Sequence, residues 1–97
     1  MEKFVYYGEL FDIYKDLLAK NVQNIFSLYY EDNLTLQEIA DNLNVSKSYI
    51  GNIIKKCEKK LDSFEDKLHI YENNRILNNL LEINDIDEIK RIIKNIV

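Results

Sequence analysis

Ninety-seven residues, 46% hydrophobic and 31% charged, make one small domain with or without a helical extension, and exclude a disordered or membrane-embedded chain. The absence of Pro and the presence of only two Gly disfavour an all-β fold, whose tight turns draw on both residues for their dihedrals. The formal net charge of -4 argues against indiscriminate nucleic-acid binding, because neutralising phosphates takes a local excess of cations. No stretch approaches the ~18 apolar residues of a membrane span. The opening MEKFVYYGELFDIY lacks the basic and long apolar regions of a secretion signal. Cys57 is the one cysteine, so an internal disulfide is excluded and a reducing cytoplasm is the expected location.

In chain order, residues 4–18 place Tyr7, Leu10, Phe11, Tyr14, Leu17 and Leu18 at three- and four-residue spacings, the stripe of an amphipathic helix. Residues 22–31 repeat it with Val22, Ile25, Phe26 and Tyr29, and Asn33 is a stop that tolerates the left-handed region. Thr35-Leu36-Gln37-Glu38 reads as a capping box, opening a short helix with Leu36, Ile39, Ala40 and Leu43 inward. Asn44 ends that helix and Ser46 caps the next. There Ile50, Ile54, Cys57, Leu61, Phe64, Leu68 and Tyr71 alternate spacings of four and three, a heptad seam that predicts one long helix. Ile76, Leu77, Leu80 and Leu81 follow. After a break at Asn84, Asp85 and Glu88 signal a second cap ahead of Ile86, Ile89, Ile93 and Ile96. The expectation is all-α: a helix-turn-helix bundle over residues 1–72 with a long fourth helix and no wing, and a helical extension over 73–97 packing on it.

Charge is unevenly spread. Residues 1–45 are net -5 and residues 61–97 net -3, but residues 46–60 carry Lys47, Lys55, Lys56, Lys59 and Lys60 against Glu58, net +4. That basic segment begins where two short helices meet. Ala40 is the small residue needed at the crossing, Asn44 the left-handed turn residue and Val45 an apolar plug. Ile39, Leu43, Ile50 and Ile53 are the inward positions, all at helix-turn-helix spacing. In that geometry the start of the second helix faces base edges in the major groove. Lys47 can donate to guanine or phosphate, and Asn52 matches the donor–acceptor pair of adenine. Ser46, Ser48 and Tyr49 face outward beside them, while Lys55, Lys56 and Lys59 meet phosphate further along. Gln37, at the start of the preceding helix, can reach phosphate as well.

The run LTLQEIADNLNVSKSYIGNIIKKCEKKLDSFEDKLHIY, with LFDIYKDLLAKNVQNIFSLYYEDNLTLQEIA ahead of it, resembles the YlxM family of small bacterial helix-turn-helix proteins over about residues 5–75. Its central part is similar to region four of sigma-70 type sigma factors. The resemblance implies an all-helical cytoplasmic protein encoded near the genes for the signal recognition particle. It further implies a regulatory or accessory role in that targeting pathway, and nucleic-acid binding. The family's recognition helix commonly opens Ser-Arg-Gln-Ala-Val-Tyr, whereas this chain reads Ser46-Lys47-Ser48-Tyr49-Ile50-Gly51. Lysine lacks the bidentate fork of arginine, which weakens base reading more than backbone binding.

No pattern in the chain reads as catalytic. His69 has no second ligand at zinc spacing, Cys57 falls on the seam as a small apolar residue, and Gly8 and Gly51 are isolated. The expectation is a non-enzyme without cofactor or metal, binding DNA or structured RNA. The alternative is a protein adaptor that docks on signal recognition particle components or the polymerase. The seam also allows a parallel homodimer in which Lys60 meets Glu65 and Lys67 meets Glu72 of a second chain, against self-packing by residues 76–97.

Overall fold

A computed structural model describes residues 2–96, so Met1 and Val97, the outer limits of the two expected units, lie outside the described residues. The chain forms α1 (Glu2–Tyr14), a 3₁₀ turn (Lys15–Leu17), α2 (Lys20–Tyr30), α3 (Leu36–Leu43), α4 (Lys47–Leu68), α5 (Ile70–Leu80) and α6 (Ile86–Ile96), with no strand among the described residues. The particle is elongated, 57 × 22 × 17 Å.

One core gathers α1 to α4. Leu10, Phe11 and Tyr14 of α1, Ile25 and Phe26 of α2, Ile39 and Ala40 of α3, and Ile50, Ile54, Cys57 and Leu61 of α4 are all buried. Phe26 stacks on Tyr30 at 4.2 Å between ring centroids and meets Phe11 at 4.9 Å. The tilted and stacked rings fill volume that aliphatic side chains alone would leave open.

The local stops behave as their chemistry dictates. Asn33 (φ 57°) and Asn44 (φ 58°) both occupy the left-handed region. The Thr35 hydroxyl accepts from the Glu38 N–H at 3.1 Å while the Glu38 carboxylate accepts from the Thr35 N–H at 3.0 Å, completing the capping box. Asp85 Oδ1 accepts from the N–H groups of Asp87 and Glu88 at the start of α6.

Several expectations are corrected. The first helix ends at Tyr14, and the tightened turn that follows turns Leu17 outward, so only Leu18 of that pair is buried. Leu43 and Val45 stand at the surface instead of facing inward. The heptad seam does not run on one helix to Tyr71: α4 stops at Leu68 because His69 adopts φ 54°, a left-handed residue that both ends α4 and begins α5.

The carboxylate of Glu65 makes that break hold. Its backbone carbonyl accepts the His69 N–H at 2.9 Å. Its side chain accepts the N–H of Tyr71 at 3.0 Å, the N–H of Glu72 at 3.0 Å and the Tyr14 hydroxyl at 2.6 Å. Tyr14 Oη in turn accepts the Ile70 N–H at 3.3 Å. The first three amides of α5, which no helical carbonyl can serve, thus all end on one Tyr–Glu pair. Glu65 is buried by this, and is not available to Lys60 of a second chain. The seam from Ile50 to Leu61 is likewise filled by the chain's own α1 to α3, so the parallel coiled-coil pairing along α4 does not fit this fold.

Two stability changes follow. Gly51 lies inside α4 with ordinary dihedrals, and an added Cβ meets Leu36 Cδ1 at 3.8 Å, a normal contact. Gly51→Ala is therefore expected to stabilise by about 0.5–1 kcal/mol, read as a rise in thermal midpoint with unchanged helical circular dichroism. Glu65→Ala strands the Tyr14 hydroxyl and uncaps α5. The expected cost is about 2–4 kcal/mol in denaturant unfolding.

Candidate nucleic-acid interface

The approach to α4 is fixed by backbone bonds. After α3, the Val45 N–H reaches back to the Ala40 carbonyl at 3.0 Å, the closure of a left-handed helix stop around Asn44. The Ser46 hydroxyl oxygen then accepts the Tyr49 N–H at 3.1 Å, so Ser46 is the N-cap of α4 and keeps its own O–H as a free donor. Buried Ala40 and Ile39 seat α3 against α4.

At about 100° per residue, Ser48, Asn52, Lys55, Lys56 and Lys59 share the face of α4 opposite Ile50, Ile54, Cys57 and Leu61. All five are exposed, as are Lys47 and Tyr49 at the first turn. Gln37 is exposed on α3, with its amide donating to Asp41 Oδ1 at 2.8 Å, so reaching a ligand means giving up that bond. Among the described residues none of the α4 lysines makes an ion pair; the pairs present are His69–Glu72 at 3.2 Å and Arg91–Glu88 at 3.5 Å.

The nearest acids are turned away from this face. Glu58, Asp62 and Glu65 follow one another at spacings of four and three along the edge of α4 beside α1 and α2. Each accepts a tyrosine hydroxyl: Tyr30 to Glu58 at 2.6 Å, Tyr7 to Asp62 at 2.8 Å, Tyr14 to Glu65 at 2.6 Å. Three of the four carboxylates of α4 are thereby tied to tyrosines, Asp66 near its end stays exposed, and the field over the first turns of the outer face is weighted toward its lysines within a Debye length of roughly 8–10 Å. The sequence places Tyr7 and Tyr14 on an amphipathic stripe, and nothing in that spacing pairs them with these acids.

The tyrosines report the arrangement. Burial first, and then the hydrogen bond to Asp62 or Glu65, pushes Tyr7 and Tyr14 up from 10.0 to about 12, and Tyr30 is raised by burial and Glu58. Burial likewise pushes the Cys57 thiol up to about 12, leaving a protonated, unreactive sulfur. Glu65, His69 and Glu72 bring ligand-type atoms within 4.8 Å of one another, but both Glu65 oxygens already accept α5 amides, so the cluster reads as a helix cap. No helix among the described residues is long and apolar enough to cross a membrane.

The family model described as "UPF0122: Putative helix-turn-helix protein, YlxM / p13 like" matches residues 1–96. A UPF0122 protein of Mycoplasma capricolum is 41% identical over 99 residues, covering 99% of this chain and 87% of the relative. One from Lactococcus lactis is 40% identical over 82 residues, 84% of this chain and 74% of the relative. A third, from Clostridium botulinum, is 38% identical over 74 residues, 76% and 68% of the two chains.

The tyrosine ladder makes the fold sensitive to alkali. A hydroxyl whose folded pKa lies above its unfolded value stabilises fully below the unfolded value and loses that stabilisation as pH climbs through the folded one. Stability is thus expected to hold up to about pH 10 and to fall between about 10 and 12, as Tyr7 and Tyr14 ionise against Asp62 and Glu65. Tyrosinate absorbance should rise in two stages, exposed rings first and the ladder together with loss of helix. Full titration below pH 11 with helicity intact contradicts the ladder.

Proposed function

The chain belongs to the UPF0122 family of YlxM/p13-like helix-turn-helix proteins, and from that membership and the outer face of α4 we propose that it binds duplex DNA. The observation that carries this reading is the charge sorting of α4. Lys47, Lys55, Lys56 and Lys59 stand exposed and without an ion pair among the described residues, while the neighbouring acids are bound to tyrosines. Lys55, Lys56 and Lys59 hold phosphates, Lys47 reaches guanine or phosphate, and Asn52 reads adenine. Ser46, Ser48, Tyr49 and Gln37 complete the contact surface. The resemblance to YlxM adds a regulatory or accessory role in protein targeting by the signal recognition particle, in the cytoplasm, with its structured RNA as the other polyanion of choice.

A protein-adaptor reading draws on a different observation. Leu43, Val45 and Tyr49 are 39%, 38% and 47% exposed around the turn, an apolar collar that a protein partner can cover.

Titration of a mixed-sequence duplex at several salt concentrations separates the two. Four phosphate contacts predict a log–log salt slope of roughly -3 to -4, and Lys55→Ala is expected to reduce its magnitude by about 1 while weakening all sequences alike. Asn52→Ala is expected to cost about 1–3 kcal/mol on the preferred sequence only. Affinity unchanged by both Lys47→Ala and Lys55→Ala overturns the DNA reading. A complex with targeting-particle proteins that survives nuclease and is lost on Tyr49→Ala supports the adaptor.

A further inference from the structure

The α5–α6 hairpin carries apolar surface that the fold leaves uncovered. On α5, Ile70 and Leu77, with Leu81 just past its end, follow at spacings of seven and four and are 40%, 47% and 85% exposed; on α6, Ile86 and Ile93, seven apart, are 66% and 42% exposed. No residue of either helix is fully buried. Ile92, Asn95 and Ile96 near the end of α6 line the same groove as His69, Glu72 and Asn73 at the start of α5, so the two helices run antiparallel. At about 100° per residue each exposed stripe lies a quarter turn to the same hand of its helix's face toward the other. In an antiparallel pair that puts both stripes on one side of the hairpin.

We infer that this side is a homodimer interface in which two hairpins meet across a two-fold axis with their α6 helices antiparallel. The charge pattern selects a second copy of this chain as the occupant. Asp87 lies in the first turn of α6 and Lys94 in the last, both exposed and flanking the Ile86–Ile93 stripe, and neither makes an ion pair among the described residues. A two-fold with antiparallel α6 helices sets Asp87 of each copy opposite Lys94 of the other, and opposes the two helix dipoles. A surface that matches itself when turned end for end is the requirement of an isologous contact. Two helices of 11 residues present a face of about 16 by 20 Å, at the small end of specific interfaces, so the dimer is a micromolar one. This inference is independent of nucleic-acid binding, and its test uses the protein alone.

Sedimentation equilibrium of the full chain over a range of micromolar concentrations is expected to show a mass rising toward twice 11.6 kDa. The double variant Leu81→Glu, Ile86→Glu, at two of the most exposed positions, is expected to remain at one chain's mass with unchanged circular dichroism and melting. Asp87→Lys and Lys94→Asp are each expected to dimerise at least tenfold more weakly alone, and to form a heterodimer when mixed. A wild-type chain monomeric throughout the range overturns the interface and assigns the stripe to another partner. A dimer indifferent to Leu81→Glu, Ile86→Glu, or charge variants that fail to rescue each other, overturns it equally.

Discussion

Three tyrosine–carboxylate bonds along one edge of α4 organise this small protein. Tyr30, Tyr7 and Tyr14 reach Glu58, Asp62 and Glu65 from two different helices, and each pair joins a half-buried or buried ring to an acid that solvent would otherwise claim. The bonds fix how α1 and α2 lie against the long helix. They also fix three carboxylates along the bundle edge of α4, beside the face that carries the lysines. The same device ends the bundle: Glu65 goes on to accept the amides of α5, so the residue that closes the ladder also sets the direction in which the chain leaves it.

What was legible in the sequence was written in residues whose local chemistry admits one answer. Thr35 with Glu38, Asn33, Asn44, Ser46 and Asp85 each satisfy or end a backbone segment within a few positions of themselves, and each does so in the fold. The buried stripe of α4 was equally plain from Ile50 to Leu61. The break at His69 was not, because the apolar rhythm passes through Leu68 to Tyr71 without a fault and no Gly or Pro marks the stop. It depends on Tyr14, 55 positions earlier, supplying half of a cap. Leu17 was assigned inward by period, yet the 3₁₀ turn resets the phase where it falls; Leu43 at the end of α3 and Val45, assigned as the plug after the turn, stand at the surface. The face bearing Lys55, Lys56 and Lys59 followed from spacing alone; the fate of the acids beside it, being a matter of long-range partners, did not.

The two ends of the particle differ in build. At one, α3 and the start of α4 form a rigid wedge seated on Ile39, Ala40 and Ile50, presenting polar and cationic groups on a helix whose own core contacts hold it still. At the other, α5 is tied back to α1 and α4 through Tyr14 and Glu65, and α6 has α5 as its principal neighbour. Binding sites placed on rigid elements hold their geometry, while a lightly anchored hairpin with apolar stripes is suited to association with another chain.

The central claim is that the sorted outer face of α4 is where a polyanion sits. Amide chemical-shift mapping during titration with a mixed-sequence DNA duplex tests it most directly. The account predicts shifts concentrated from Ser46 to Lys59 and at the start of α3, fading as salt is raised. Shifts centred on α5 and α6, or none in that α4 segment at saturation, contradict it.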